Sequence, residues 1–244
     1  MKNEQHHEDE SSASDHDRKA RRRRLTERLQ TLRERTRLLE QELASYTSTH
    51  FRVCIFGSAR IRPDDEIYEI TRAVARHLGR EGIDVLTGGG PGLMEAANRG
   101  LKEGKRETRS KSKSFGISID LGMLEEPNPH LDIKHHHKKF SSRLDDFMRL
   151  SNAVIVTPGG IGTVLELFFS WQLLQVAHIS ERPVILLREK FWSGLITWVK
   201  EMQVASKLVS PGDLRWIRVV DTPEQAMEII RDEHDKFKNR APIK

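Results

Sequence analysis

The sequence predicts an α/β protein: a parallel sheet with helices on both faces, preceded by a helical extension. Three observations predict it. From Phe51 onward, short β-branched runs alternate with longer amphipathic stretches, the pattern of strand-helix units. Two of the short runs break into glycine-rich turns that resume at once as helices. Before them, residues 18–46 contain neither glycine nor proline, so an unbroken helix leads into the alternating region.

The 244 residues suffice for one α/β domain of ordinary size plus an extension. We divide them into a disordered tail (1–17), an N-terminal helix (18–50) and a domain spanning 51–244. The tail is rich in His, Asp, Glu and Ser and lacks core-forming residues. His6 and His7 are read there as solvated. The helix carries Leu25, Leu29, Leu32, Thr36, Leu39, Leu43 and Tyr46 at spacings of four and three, a heptad seam flanked by Arg and Glu. Such a seam serves self-association, or it lies on the chain's own domain. The single cysteine, Cys54, excludes an internal disulfide and fits a reducing compartment. No apolar leader starts the chain, and no stretch approaches the roughly 18 apolar residues of a membrane span. A cytoplasmic protein with no membrane partner is expected. The net charge is +5, but six Lys or Arg residues fall within 18–24 and the remainder is near neutral. That argues against a general nucleic-acid-binding surface. The arginine run is read as a solvated helix start.

In chain order, residues 51–56 read as a first strand ending in Gly57-Ser58, and Asp64 or Asp65 caps a helix to Gly79. Residues 83–86 form a second strand, followed by Thr87-Gly88-Gly89-Gly90-Pro91-Gly92-Leu93-Met94-Glu95 and a helix through Leu101. Residues 104–113 read as a basic loop and 114–119 as a third strand. A long connection, 120–134, holds Pro127-Asn128-Pro129. His135-His136-His137 is expected in a surface turn, because three consecutive positions of a regular element cannot face one ion. Residues 138–150 form a helix with Phe140, Leu144, Phe147 and Met148 on its core face and Arg143 beside that stripe. The strand Ala153-Val154-Ile155-Val156 precedes Pro158-Gly159-Gly160-Ile161-Gly162-Thr163-Val164-Leu165-Glu166 and its helix. A strand at 183–187, a helix from about 191, a strand at 216–220 and a helix at 223–237 complete the chain.

Both glycine turns stand where a strand gives way to a helix. Glycines admit a ligand close to the backbone, and the first N–H groups of a helix lack intrahelical partners, so each turn is a candidate phosphate cradle. The turn at 88–92 is not a dinucleotide fingerprint, since its third glycine would fall at Leu93. It is not a Walker A loop either, since no Gly-Lys-Ser/Thr closes it. Glu166, one turn into its helix, holds a carboxylate beside the bound anion. In parallel sheets ligands bind outside the carboxyl ends of the strands. Gly57, Ser58 and the two cradles share that rim.

The pair of motifs resembles the signature of the LOG (Lonely Guy) family, often mislabelled as lysine decarboxylases. The resemblance covers residues 52–220. It implies a Rossmann-like doubly wound fold and a phosphoribohydrolase that cuts the N-glycosidic bond of a nucleoside 5′-monophosphate, giving free base and ribose 5-phosphate. It also implies a homodimer or larger homo-oligomer and neither lysine decarboxylation nor pyridoxal phosphate; no cofactor and no metal are expected. The family's catalytic arginine precedes the motif's proline by fifteen positions, which is Arg143, and its catalytic glutamate closes the motif, which is Glu166. Gly159, Gly160, Gly162 and Thr163 would take the 5′-phosphate, with Gly89, Gly90, Gly92 and Met94 lining the pocket. The 127–129 segment looks more like bacterial nucleotide 5′-monophosphate nucleosidases than cytokinin-activating members, and the N-terminal extension is absent from short plant-type members. The alternative class is a non-catalytic nucleotide sensor, which would bind without releasing base.

Overall fold

The computed structural model describes residues 19, 21–35, 50–119 and 126–239. The expected tail, the second half of the heptad seam and residues 120–125 lie outside the described residues. The chain divides into two units, 1–49 and 50–244. In the first, residues 21–35 form a helix, α1, that keeps Leu25, Leu29 and Leu32 exposed on one stripe. Arg23 and Glu27 pair across one turn of it at 3.1 Å.

The described residues of the second unit form seven strands: β1 (Arg52–Phe56), β2 (Asp84–Thr87), β3 (Ser114–Ile119), β4 (Ile133–His137), β5 (Ala153–Val156), β6 (Val184–Leu187) and β7 (Ile217–Val220). All pair in parallel, in the order β4-β3-β2-β1-β5-β6-β7. The sheet is Rossmann-like and doubly wound. From β1 the chain builds outward to β4, then returns to lay β5 against the other side of β1, so the order reverses beside β1.

Side-chain alternation explains why both faces are covered. Val53 and Ile55 of β1, with Ala153 and Ile155 of β5, enter one apolar cluster. Cys54 and Phe56, with Val154 and Val156, enter the other. The first cluster is closed by α2 (Glu66–Arg80), α3 (Leu93–Thr108) and α7 (Pro223–Asn239). The second is closed by α4 (Phe140–Leu150), α5 (Ile161–Gln175) and α6 (Glu189–Trp198), which runs on into a π-helical turn at Val199–Val204. Each fully buried aliphatic or aromatic side chain contributes about 1.5–3 kcal/mol. On α2 the buried positions Ile67, Thr71, Val74, Ala75 and Leu78 follow helical spacing. Asp65 caps it by accepting from Ile67 N at 2.9 Å, and first-turn acids and last-turn bases complement the dipole.

Several expectations are corrected. α3 runs to Thr108, well beyond Leu101, so the first half of the expected basic loop is helix. Its glycines do not end it; they receive α2. A Cβ on Gly100 or Gly104 would strike the carbonyls of Arg72 and Arg76, so the two helices cross at backbone contact. The three histidines form no surface turn. Ile133–His137 is an edge strand in register with β3, with Ile117 opposite His135. His135 and His137 thereby share a face towards Asp146 of α4, at 3.7 and 3.0 Å, while His136 turns to Ser118 Oγ at 3.0 Å. Phe140, assigned to the core face of α4, is 51% exposed, because the first turn of the helix overhangs the cluster that buries Leu144, Phe147 and Met148.

Candidate active site

Three strand ends meet where the sheet order reverses. Thr157, after β5, donates from both its N–H and its Oγ1 to Phe56 O at the end of β1, at 2.8 and 2.9 Å. Ser58 N donates to Pro158 O at 3.2 Å, and Leu93 N, opening α3, donates to Ser58 O at 2.9 Å. Gly57-Ser58 is therefore the bridge between the two glycine turns. Gly92 must be glycine on two counts: its φ is +68°, and a Cβ there would collide with Ser58 O.

The two turns are used differently. In the β5 turn, Gly159 lies against the buried Thr163, whose hydroxyl occupies the place a Cβ would need. Gly160 and Gly162 have nothing within 4 Å of such a position, and both are exposed. That turn is the open side of the rim, at the start of α5. The β2 turn is packed from behind. Gly89 N–H is spent on Thr87 Oγ1 at 3.0 Å, so it is not directed at a ligand. A Cβ on Gly88 would lie 2.5 Å from Arg143 Nη2 and 2.6 Å from Met94 Sδ, so both side chains close on this glycine. Met94 thus backs the turn.

Arg143 of α4 reaches the rim across β3. Its Nε donates to Ile117 O at 2.8 Å, and its guanidinium lies over the Phe147 ring, 5.1 Å from the centroid. With the fork anchored on that side, Nη1 stands 3.5 Å from Oε1 of Glu166 on α5. Glu166 is almost out of water, and burial pushes its carboxyl up to about 7, while the Arg143 charge pulls it down. A carboxyl so poised can hold or give up a proton near neutrality. The Arg143 guanidinium stands beside it.

Behind the β2 turn lies a buried polar network that sequence reasoning missed. Asn128 donates through its backbone N–H to Gly89 O, and its side-chain amide reaches Gly89 O, Gly90 O and Asn98 Oδ1. The one sequence signal was an asparagine held between two prolines, whose backbone is thereby restricted. Among the described residues no group of three or more His, Cys, Asp or Glu is arranged to hold a metal ion. No helix among them is long and apolar enough to cross a membrane.

Residues 94–230 match the family model described as "Possible lysine decarboxylase". The chain belongs to this family, the LOG family. Over 142 residues this LOG-family chain is 31% identical to the pyrimidine/purine nucleotide 5′-monophosphate nucleosidase of Escherichia coli strain K12, covering 57% of the chain and 31% of that relative. It therefore spans about a third of that relative's length. Over 199 residues it is 26% identical to the probable cytokinin riboside 5′-monophosphate phosphoribohydrolase LOGL3 of Oryza sativa subsp. japonica, covering 79% of the chain and 89% of the relative. The crystal structure of TM1055 shares the fold with a TM-score of 0.58 at 24% identity, over 75% of this chain and 99% of that one. The molybdenum cofactor binding protein of Rippkaea orientalis shares it with a TM-score of 0.54 at 19% identity, over 75% and 96% of the respective chains.

Proposed function

We propose that this protein hydrolyses the N-glycosidic bond of a nucleoside 5′-monophosphate, releasing free base and ribose 5-phosphate without a cofactor. The observation that carries the reading is Glu166, a buried carboxyl pushed up to about 7 and held 3.5 Å from Arg143 beside the open glycine turn of α5. A pure phosphate binder has no use for an acid there. The names of the relatives in Escherichia coli and Oryza sativa support the same substrate class.

The proposed division of labour follows from position. The 5′-phosphate sits at the rim, taken by the backbone of Gly159, Gly160 and Gly162 at the start of α5, with the β2 turn and Gly57-Ser58 as the facing wall. Thr163 supports Gly159 from beneath. Fixing the phosphate places the ribose over Glu166, so binding energy from a non-reacting group positions the reacting bond. As the base departs with the bond's electron pair, C1′ becomes oxocarbenium-like. Glu166 as a carboxylate stabilises that charge and takes a proton from the attacking water as its oxygen bonds to C1′; the departing base takes up one proton from solvent and Glu166 releases its proton back, so one water is consumed and Glu166 is restored. Arg143 keeps the Glu166 carboxyl aimed and ionisable. A homo-oligomer fits the exposed Leu25, Leu29 and Leu32 of α1 and the exposed Ile161 and Leu165 of α5, a helix apolar on nearly every side. The cytosol fits the lone, buried thiol of Cys54.

The test is incubation of purified protein with AMP, GMP, CMP, UMP, IMP and a cytokinin riboside monophosphate, following free base and ribose 5-phosphate by chromatography. Release of base with equimolar ribose 5-phosphate from at least one is expected. Tight nucleotide binding without release would make the protein a sensor instead.

A further inference from the structure

The geometry points to Asn128 as a positioning residue that fixes the Gly89–Gly90 peptide so that the Gly90 N–H, and not the Gly89 carbonyl, faces a bound phosphate. This rests on the reading that the rim binds the 5′-phosphate.

Asn128 lies in the connection from β3 to β4 and is 4% exposed. Its N–H donates to Gly89 O at 2.8 Å. Its Nδ2 lies 3.1 Å from the same oxygen, 3.0 Å from Gly90 O and 3.0 Å from Asn98 Oδ1, so its two hydrogens are shared among three acceptors. The direction of each amide is fixed by its neighbours. Asn98 Oδ1 also accepts from Thr87 Oγ1 at 2.7 Å, Asn98 Nδ2 donates to Ser114 Oγ at 2.8 Å, and Asn128 Oδ1 accepts from His130 N at 3.1 Å. Turning Asn128 round would set its oxygen against the Gly89 and Gly90 carbonyls, and turning Asn98 would set donor against donor at Asn128 Nδ2.

The consequence for the rim follows from peptide geometry. No described peptide is cis, and in a trans peptide C=O and N–H point in opposite directions. With Gly89 O held on the buried amide, Gly90 N–H points away from that amide, and Gly90 itself is partly exposed. Gly89 N–H is already spent inward on Thr87. The β2 turn thus offers its donor at Gly90. Glycines on both sides of a peptide leave its plane free to rotate, and a rotated plane would set a carbonyl oxygen against the anion. Asn128 blocks that rotation.

The experiment titrates ribose 5-phosphate into the full chain by calorimetry and measures nucleotide kinetics in parallel. Asn128→Ala is expected to weaken ribose 5-phosphate binding by about tenfold or more, the scale of a lost hydrogen bond to a charged group. KM should rise in proportion, while kcat changes less than about threefold, because Ile117 and the Arg143–Glu166 pair hold the reacting groups independently. Asp84→Asn, which breaks a buried contact at the other end of the sheet, should lower stability and leave this affinity unchanged. If Asn128→Ala does not fold, Asn128→Ser, which keeps a small polar filler, replaces it. Affinity within twofold of wild type in a folded Asn128 variant overturns the inference, as does a wild-type protein that binds no ribose 5-phosphate. Wild-type binding with no hydrolysis of any nucleotide would sink the enzymatic reading and leave the role of Asn128 standing.

Discussion

Among the described residues of this domain, two largely buried arginine-carboxylate pairs lie at opposite ends of the sheet, and they differ in what the carboxylate is given. Arg52 and Asp84, the first residues of β1 and β2, meet at 3.3 Å with side chains 9% and 3% exposed. Arg143 and Glu166 stand 3.5 Å apart with side chains 14% and 12% exposed. Burial pushes both carboxyls up. Asp84, however, also accepts a backbone N–H from Lys113 at 2.7 Å, inside a corner closed by parallel pairing. Glu166 has Arg143 beyond good hydrogen-bond length, and it stands on the helix that opens at the exposed Gly160 and Gly162. Burial alone does not mark a functional acid. Burial with unfilled hydrogen-bonding capacity, beside free backbone donors, does.

Glu166→Gln breaks the comparison most strongly. It keeps shape and removes charge, so kcat is expected to fall at least about a hundredfold with the fold intact. Near-normal turnover would remove Glu166 from the mechanism. The same change should alter stability with a definite sign. Burial holds the folded-state carboxyl near 7, above its ordinary 4.5, so the folded protein keeps this proton longer than the unfolded chain does. Stability from the protonated carboxyl is full below pH 4.5 and is lost as pH rises through 7. At pH 8, Glu166→Gln should therefore be more stable than wild type by on the order of 1–3 kcal/mol, read as a raised denaturation midpoint. At pH 4 the gain should vanish.

Arg143→Ala sharpens the contrast from the cation's side. In the wild type, kcat/KM should rise with pH through about 7 as Glu166 ionises and then level off. Without Arg143 the carboxyl loses the charge that pulls its value down, so the rising limb should move to higher pH by about one unit, with an activity loss of about ten- to a hundredfold. A limb left in place would show that Arg143 does not govern that ionisation. A profile that falls through pH 7 would recast Glu166 as an acid that must be protonated.

The sequence carried the alternation of elements and both glycine turns, because strand hydrophobicity and glycine turns are local signals; Arg143 was singled out through the family resemblance. It did not carry the pairing of the turns through Ser58, which depends on β5 returning beside β1. It did not carry the extension of α3 either. Gly104 looks like a helix breaker until α2 lies across it. The histidine strand was misread because ladder pairing with β3 outweighs a composition typical of exposed turns. Asn128 was the least legible residue of all. Its partners lie 30 or more positions away in the chain, at Gly89, Gly90 and Asn98, and no periodicity joins them.

The smallest effect on catalysis is expected at the more deeply buried pair. Asp84→Asn leaves an acceptor for Lys113 N but removes the negative charge that pairs with the Arg52 guanidinium, which burial already disfavours in its charged form. Breaking one half of a buried pair costs about 3–5 kcal/mol, and the retained backbone contact places this case near the lower figure, measurable as a shifted urea midpoint at unchanged slope. Yet kcat/KM should stay within about twofold of wild type. Nothing at the carboxyl ends of β1, β2 and β5 depends on the charge of a residue at the start of β2. A comparable catalytic loss would mean that the two ends of the sheet are coupled, and that the Arg143–Glu166 geometry is set through the strands and not by Ile117 and the turns around it.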